Sequence, residues 1–600
     1  MRLSKVSVKN YRSITAAIDV RLEPLQALVG ENNCGKSNIL RAIRCFLSVG
    51  AGGVEIGDFK NPDENVVIEC EFSTLTPAEK KRLRPYLLGE RVILRKELRI
   101  VTDERSQKVT VKPEYHGYQA EPKETRFSIK KIEEAAARPN WKKVAEDAGL
   151  AEAALTADGK ITKKSFTDAL EQYIRENEVE YDEPTLGETQ ALGIPQNLLS
   201  ALPRFYLLPA ITDYSNEIDR RSSSTVFRQL MADLSDRLLQ TDPRYGEIEE
   251  ALQKVRALLN PQPGAGATPR LEALGNVETE LRDLARRLMP SVNGISLAVE
   301  IDPPKDMFSK GIAIKIDDGV LTDVLDKGHG MQRILVFALL QMLMKTGKIE
   351  STKGDSSSIL LAIEEPELYI HPHCQRLIYG VLKQFTGLQA DDTFSGTDQV
   401  IYTTHSPAFV DIAGYERIGV VRKPDVATGT VIKQCAPGVL GDPAERKAFK
   451  LLTSFDLRHN EVFFAREAIL TEGPEDAIGL IATARKLGRI KELPEEIGLS
   501  IVVTDGKGEI PKFQKVLNAF GLSYGVLLEL DGEAEEHKQN APVLEHLNGN
   551  RVAKVHGKLE HLLGLAKHFD DVRHAKEFFS NPNNIPTGME EVTTALLPPI

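Results

Sequence analysis

The sequence predicts an α/β protein in two parts: a nucleotide-binding parallel-sheet unit interrupted by helices, then a smaller βαβαβ unit. Three observations carry this prediction. A phosphate-loop motif follows a short apolar run near the N-terminus. The runs ILLAIEEPE and QVIYTTHSP read as buried parallel strands that end in polar residues. From Glu467 onward, strands and helices alternate again.

Taken in order, LSKVSVKNY and LQALVG are short and β-rich, and a helix begins near Lys36. Strands resume at NVVIECEF, RVILRKELRI and VTVKPEYHGYQ. From about Arg126 to residue 290 the texture turns helical, charged and rich in Ala and Leu, with a strand-like FYLLPAI inside it and helices at 226–239 and 245–259. Leu274, Val277, Leu281, Leu284 and Leu288 recur at spacings of three and four, which is either a core helix face or a dimer seam. Strand texture returns at ISLAVEID and GIAIKIDD, a helix covers roughly 331–344, and 420–465 reads as a connector. The last unit runs strand AILTEG, helix EDAIGLIATARKLG, strand LSIVVTDG, helix IPKFQKVLNAFG, strand YGVLLELDG. These textures divide the chain into 1–125, 126–290, 291–465 and 466–600.

The composition fits an ordinary folded chain: 600 residues, 41% hydrophobic and 27% charged. A formal charge of −11 argues against a wholly basic nucleic-acid binder, but leaves room for acids gathered around metal ions. The five cysteines form no CxxC pair, which suits a reducing cytosol and offers no zinc site. No apolar run approaches the roughly 20 residues of a membrane span, and the N-terminus lacks a signal-peptide core. A cytoplasmic protein without a membrane partner is expected.

Residues 30–37, GENNCGKS, fit GxxxxGK[ST] between a strand and a helix. Gly30, Asn33 and Gly35 belong to a loop whose N–H groups cradle phosphates. Lys36 is expected to reach the β- and γ-phosphates of ATP, and Ser37 to ligate Mg²⁺. At the end of ILLAIEEPE, Glu364 is placed for the Mg²⁺ shell and Glu365 for polarising the attacking water. His405, ending another buried strand, is placed for the γ-phosphate.

Together KNYRS, the phosphate loop, EEPELYIHP and TTHSP resemble the ABC-type ATPases of the RecF/SMC/Rad50 group. That resemblance implies ATP sandwiched between two heads, with a signature segment reaching across from the partner. Asp326 to Arg333, DKGHGMQR, is the candidate segment, with Gly328 and Gly330 as phosphate contacts. It departs from the usual serine-containing signature. The inserted helices are too short and interrupted for a long coiled-coil arm.

The C-terminal unit carries acids at its strand ends. Glu472 follows AILT, Asp476 comes one helical turn later, Asp505 ends the second strand, and Glu529 and Asp531 end the third. Residues i and i+2 of a strand share a face, so Glu529 and Asp531 are expected to share a metal. Carboxylates this close need Mg²⁺ or Mn²⁺, or else raised pKa values. The pattern resembles a Toprim domain, with Glu529 standing where the usual pair has aspartate.

A short-armed ABC ATPase followed by Toprim resembles the OLD nucleases, the family that includes the nuclease subunit of the Gabija anti-phage system. The resemblance covers nearly the whole chain. It implies metal-dependent cleavage of DNA, with ATP, Mg²⁺ and an alternative Mn²⁺ in the Toprim site. It implies Glu472, Asp476, Glu529 and Asp531 as metal-binding catalytic acids, Asp505 and Glu533 as further candidates, and an inserted dimerisation region. Lys558 lies where these nucleases carry a lysine, with Lys554 as competitor and Glu560 as a neighbour. The partners implied are DNA, a second copy in a homodimer or tetramer, and a UvrD-like helicase or other defence protein. A DNA clamp or sensor with a structural Toprim unit is the alternative function.

Overall fold

The computed structural model describes residues 1–600 apart from 84–85, 103–108, 137, 157, 178, 189–200, 211–229, 231–241, 261–270, 289–295, 300–313, 347–357, 390, 454–455, 566–568, 570 and 598–600. The expected helix at 226–239, apart from Leu230, lies outside the described residues, as do half of ISLAVEID and the first three residues of GIAIKIDD; residues 296–299 form no strand, and the rest of GIAIKIDD contains the strand Lys315–Asp317. The chain divides into two compact units. One comprises 1–205, 353–364 and 386–600; the other comprises 206–352 and 365–385.

The first unit opens with an antiparallel sheet. Its strands are β1 (Arg2–Lys9), β2 (Ile18–Arg21), β4 (Val66–Ser73), β5 (Leu87–Leu88), β6 (Arg91–Thr102), β7 (Val109–Gln119) and β8 (Thr185–Glu188), in the order β2-β1-β4-β6-β7-β8 with β5 on β6. In β4 the pattern VVIECEFS alternates buried and half-buried, as a one-faced sheet requires. Lys96 breaks the pattern. It is fully buried, and its ammonium donates to the carbonyls of Cys45 (2.6 Å) and Ser48 (2.9 Å). Those carbonyls close the helix Lys36–Leu47, where a cation complements the negative helix end. Burial pushes the Lys96 pKa down to about 8.

The parallel core is β3 (Leu25–Val29), β12 (Ile359–Glu364), β13 (Gln399–Thr404) and β14 (Ile418–Arg422), with β15 (Val431–Gln434) added antiparallel to β14, in the order β15-β14-β3-β13-β12. The strands β3, β12 and β13 are buried at every position, as strands covered on both faces are, with Gln26, Glu364, Gln399, Thr403 and Thr404 the polar residues among them. The strand β9 (Arg204–Leu208) begins at the edge, where the Arg204 N–H donates to the Ser358 carbonyl. The presumed connector is structured. It holds the end of β14, then β15 and a helix over Pro443–Thr453.

The C-terminal sheet has four parallel strands, β16 (Glu467–Thr471), β17 (Leu499–Val503), β18 (Ser523–Glu529) and β19 (Arg551–Val555), in the order β17-β16-β18-β19. Ile469, Leu480, Leu527, Phe579, Met589 and Leu596 build its core between the sheet and the helices Pro474–Lys486, Val572–Phe579 and Thr587–Leu596.

The helical stretch is shared between the units. Helices Ile129–Ala135, Trp141–Asp147 and Lys163–Glu176 pack Phe127, Ala145, Phe166 and Leu170 into a small core of the first unit. The second unit holds Tyr245–Leu259, Glu272–Leu288, the hairpin β10 (Lys315–Asp317) and β11 (Leu321–Asp323), and helices His329–Thr346 and Pro372–Phe385. On Glu272–Leu288, Val277, Leu281 and Leu284 are exposed and Leu274 is half-buried.

Candidate functional site: a phosphate loop and an acid cavity

The fully buried strand β3 delivers the loop Gly30–Gly35 to the start of helix Lys36–Leu47. Two glycines are obligatory there. Gly30 has φ +149°, and a Cβ on it would lie 2.0 Å from the Val421 carbonyl oxygen. Gly35 has φ +107°, and its Cβ would meet Thr430 Oγ1 at 2.2 Å. Asn33 also turns left-handed, at φ +60°. Lys36 is buried, and its ammonium donates to the Gly30 and Glu31 carbonyls at 2.8 Å each.

The neighbouring strands bring two more groups to this edge. In register, Val29 of β3 faces Thr404, and Thr403 faces Glu364. Glu364 is buried at the end of β12, with Arg41 of the phosphate-loop helix 3.6 Å away. His405 follows β13; burial, and secondarily the Lys36 charge, pushes its pKa down to about 4, so it is neutral at pH 7. The first unit therefore gathers Gly30, Asn33, Gly35, Lys36, Ser37, Glu364 and His405.

Glu365, Gly328 and Gly330 belong to the second unit. Glu365 sits in a left-handed turn, φ +46°, and its carbonyl accepts from Arg333 Nη2 at 2.6 Å. Gly330 lies in the first turn of His329–Thr346, where a Cβ would meet the Tyr369 carbonyl oxygen at 2.5 Å. Gln332 Nε2 ties this turn back to the carbonyls of Val324 (3.1 Å) and Lys327 (2.9 Å).

The second site is a cavity of about 480 Å³ at the C-terminal ends of β16 and β18, where open parallel sheets take ligands. Glu472, Asp476, Glu529, Asp531, Glu533, Lys558 and Glu560 all line it. Glu472 leaves β16, and its buried Oε2 has no hydrogen-bond partner. Asp476, in the first turn of Pro474–Lys486, accepts from the Gly473 N–H at 2.9 Å. Glu529 ends β18 and accepts from the Leu559 N–H at 2.7 Å. Asp476 and Glu529 lie close enough for each to shift the other's protonation. Desolvation raises both, Asp476 to about 6 and Glu529 to about 8; the negative charge of Asp476 adds to the rise at Glu529.

Asp531 reaches the cavity by a different route from the one the strand period suggests. The strand β18 stops at Glu529, and Asp531 lies in a left-handed turn, φ +56°. That turn is stitched to the one after β19: Leu530 N–H to Val555 O (2.7 Å), Asp531 N–H to Gly557 O (3.3 Å), Gly532 N–H to His556 O (2.8 Å). The same stitching brings in Lys558. Lys554 is exposed and pairs with Glu535 at 2.7 Å, and Asp505 is exposed; neither lines the cavity. Lys507, which sequence reasoning passed over, is paired with Asp531. The clue was its place in VVTDGKG, two residues past a strand-end acid.

Among the described residues, no three His, Cys, Asp or Glu side chains already stand in position to hold a metal ion. The donor set nevertheless suits one. It is all hard oxygen, it contains a buried carboxylate oxygen without a hydrogen-bond partner, and two of its acids hold their protons to higher pH than usual.

A phosphate loop at a parallel-sheet edge, joined to a parallel sheet with acids at its strand ends, defines a P-loop ATPase followed by a Toprim unit. Residues 1–410 match the AAA_15 family, described as AAA ATPase domain. Residues 463–531 match the Overcoming lysogenization defect protein-like TOPRIM domain. The chain belongs to the AAA_15 family and, through this ATPase–TOPRIM pairing, to the OLD family. It is 24% identical over 538 residues to the Old nuclease of Escherichia phage P2, covering 88% of this chain and 77% of that protein. It is 25% identical over 329 residues to the OLD nuclease of Thermus scotoductus, covering 50% of this chain and 58% of that one. Solved SMC head domains are also similar. That of Thermotoga maritima gives a TM-score of 0.27 at 13% identity, covering 73% of this chain and all of that one (100%). An SMC head with an extended coiled coil, bound to a ScpA domain derived from Pyrococcus furiosus, gives 0.32 at 13%, covering 76% and 99%. At such scores they add nothing to the strand order. Among the described residues, no helix is long and apolar enough to cross a membrane.

Proposed function

We propose that this chain is an ATP-regulated, metal-dependent DNA endonuclease of OLD type that acts in anti-phage defence. The observation that carries the reading is the acid cavity, where four strand-end carboxylates and Lys558 line one wall system. Glu472, Asp476, Glu529 and Asp531 would hold Mg²⁺ or Mn²⁺, with Glu533 at the rim. Two such ions stabilise the attacking and leaving oxygens of a phosphodiester. Lys558 supplies a cation for charge on the scissile phosphate. The proton that burial keeps on Glu529 would be displaced by a divalent ion held there.

In the first unit, the phosphate loop binds ATP, Lys36 turns from its own loop carbonyls to the β- and γ-phosphates, and Ser37 and Glu364 serve the Mg²⁺. Glu365 orients water, and His405, neutral at pH 7, donates or accepts a hydrogen bond at the γ-phosphate. Gly328 and Gly330 contact the nucleotide of a partner head. The exposed Val277, Leu281 and Leu284 favour self-association as a homodimer or tetramer, and a UvrD-like helicase is a candidate further partner. Five free cysteines fit a cytoplasmic location.

The decisive experiment incubates supercoiled plasmid with Mg²⁺ or Mn²⁺, with and without ATP, beside Asp531→Ala. Metal-dependent nicking or linearisation that the variant loses, with ATP binding intact, is the expected result. Cutting by Asp531→Ala at the native rate would sink the site. A DNA clamp with a structural Toprim unit is the second reading, favoured by the absence of ready-made metal geometry among the described residues. Its signature would be ATP-dependent DNA retention with intact plasmid under every metal.

A further inference from the structure

Lys507 is an ammonium inside an otherwise carboxylate-rich corner. It follows β17, the strand on the far side of β16 from β18, so its side chain reaches across β16 to the acid turn after β18. Its side chain is only 5% exposed, and its Nζ donates to Asp531 Oδ2. The turn that carries it is built for this reach. Asp505 and Gly506 take φ +56° and +130°, and the Gly506 N–H donates to the Glu472 carbonyl at 3.1 Å. Lys507 is thereby tied to the two acid-bearing turns at once: by backbone to the Glu472 turn and by charge to Asp531. Lys512, the next lysine in the chain, pairs instead with Glu509 at 2.6 Å.

A carboxylate bound through one oxygen keeps the other for a second cation. Asp531 lines the cavity while its Oδ2 is engaged by Lys507. Its left-handed backbone, φ +56°, is a conformation that needs outside support. We propose that Lys507 is the positioning residue for Asp531: a buried ammonium that fixes this carboxylate toward the acid cavity and so sets the cavity's affinity for a divalent cation. The inference rests on the nuclease reading of that cavity. Lys507 does not touch the reacting atoms; it acts through Asp531, as partners of metal-ligating groups do.

The test titrates the full-length, DNA-free protein with Mn²⁺ by calorimetry, comparing native protein, Lys507→Met, Asp531→Asn and the double variant. Methionine keeps the buried stem and removes the charge. Losing such a partner lowers metal affinity by about 10- to 100-fold. Lys507→Met should fall in that range, and its cleavage should recover at higher Mn²⁺ with kcat nearly restored. In the Asp531→Asn background, Lys507→Met should add no further loss. Equal or tighter Mn²⁺ binding by Lys507→Met, or losses that add in the double variant, would overturn the role while leaving the nuclease reading intact. Native protein that neither binds Mn²⁺ nor cuts DNA would overturn both. If Lys507→Met fails to fold, Lys507→Gln against Lys507→Arg decides: recovery of Mn²⁺ affinity only by the cation supports the role, and equal affinities refute it.

Discussion

The phosphate loop and the acid cavity solve opposite electrostatic problems. The loop is organised by backbone: two glycines admit a close approach that a Cβ would forbid, and the one buried cation, Lys36, is satisfied by its own loop's carbonyls. It is complete before a phosphate arrives. The acid cavity is organised by side chains of one sign. Its carboxylates coexist because burial makes Asp476 and Glu529 hold their protons to higher pH than usual and because Lys507 faces Asp531. It stores repulsion that a divalent cation relieves. An anion site built from N–H dipoles and one lysine has that charge satisfied by its own carbonyls when empty; a cation site built from carboxylates has no such internal partner for most of its charge.

The largest expected effect tests the first half of that contrast. Lys36→Met should lower ATP hydrolysis by about 10²–10³-fold, the range for losing one well-placed donor to developing charge. Mn²⁺ binding by the acid cavity should not change. A parallel loss of Mn²⁺ binding would show that the two sites are one electrostatic system and break the comparison.

Glu529→Gln tests the second half. A carboxyl whose folded pKa stands above its unfolded value keeps its proton in the native state, so stability falls as pH rises from about 4.5 to about 8. Glutamine removes that penalty. The metal-free variant should melt higher than the native protein at pH 8 and lose the Mn²⁺-induced rise in Tm. A lower Tm at pH 8 would mean that Glu529 is not under strain. In the native protein the same proton must leave before the carboxylate ligates, so Mn²⁺ affinity should climb through pH 6–8 and level off above it.

These contrasts were unequally legible in the sequence. The phosphate loop, Glu364 and His405 were readable because each depends on residues adjacent in the chain: a strand, then a turn. Glu472 and Asp476 were readable for the same reason. Asp531 lines the cavity by a route the sequence does not show, since the strand ends at Glu529 and cross-strand stitching to Gly557, not the period of two, turns Asp531 inward. Lys507 was missed because its partner is 24 residues away, across a neighbouring strand. Lys96 was missed because a lysine in a strand reads as its solvent face, and only the tertiary fold supplies the helix-end carbonyls that accept it. The strand β19 was missed because RVAKV mixes charge with apolar residues.

A smaller effect concerns His405. Its folded pKa of about 4 lies below the ordinary value of 6.5, so the unfolded chain binds more protons between those limits. Stability should therefore fall as pH drops from about 6.5 to about 4, and His405→Gln should flatten that part of the profile. Bound ATP, by placing negative charge near the ring, would raise the folded pKa toward 6.5, so the fall should become smaller and end at a higher pH in differential scanning calorimetry. An unchanged profile in the variant would assign the acid sensitivity elsewhere.

The smallest expected effect bears on whether the two regions communicate by charge. Glu31 of the phosphate loop and Arg466, the residue before β16, approach to 3.9 Å across the rim of a cavity of about 570 Å³. Both side chains are more than two-thirds exposed, at 72% and 79%. Water and salt screen such a pair to roughly 0–1 kcal/mol. Arg466→Ala should thus change Tm little and leave the influence of ATP on DNA cutting near its native size at 0.15 M ionic strength. Arg466 also joins the C-terminal sheet by backbone, its N–H donating to the Gly498 carbonyl at 2.8 Å, and the alanine variant keeps that bond. Loss of ATP control in Arg466→Ala that low salt does not restore would make the exposed pair the channel between the sites. Retained control would exclude the exposed pair as the carrier of coupling between the sites.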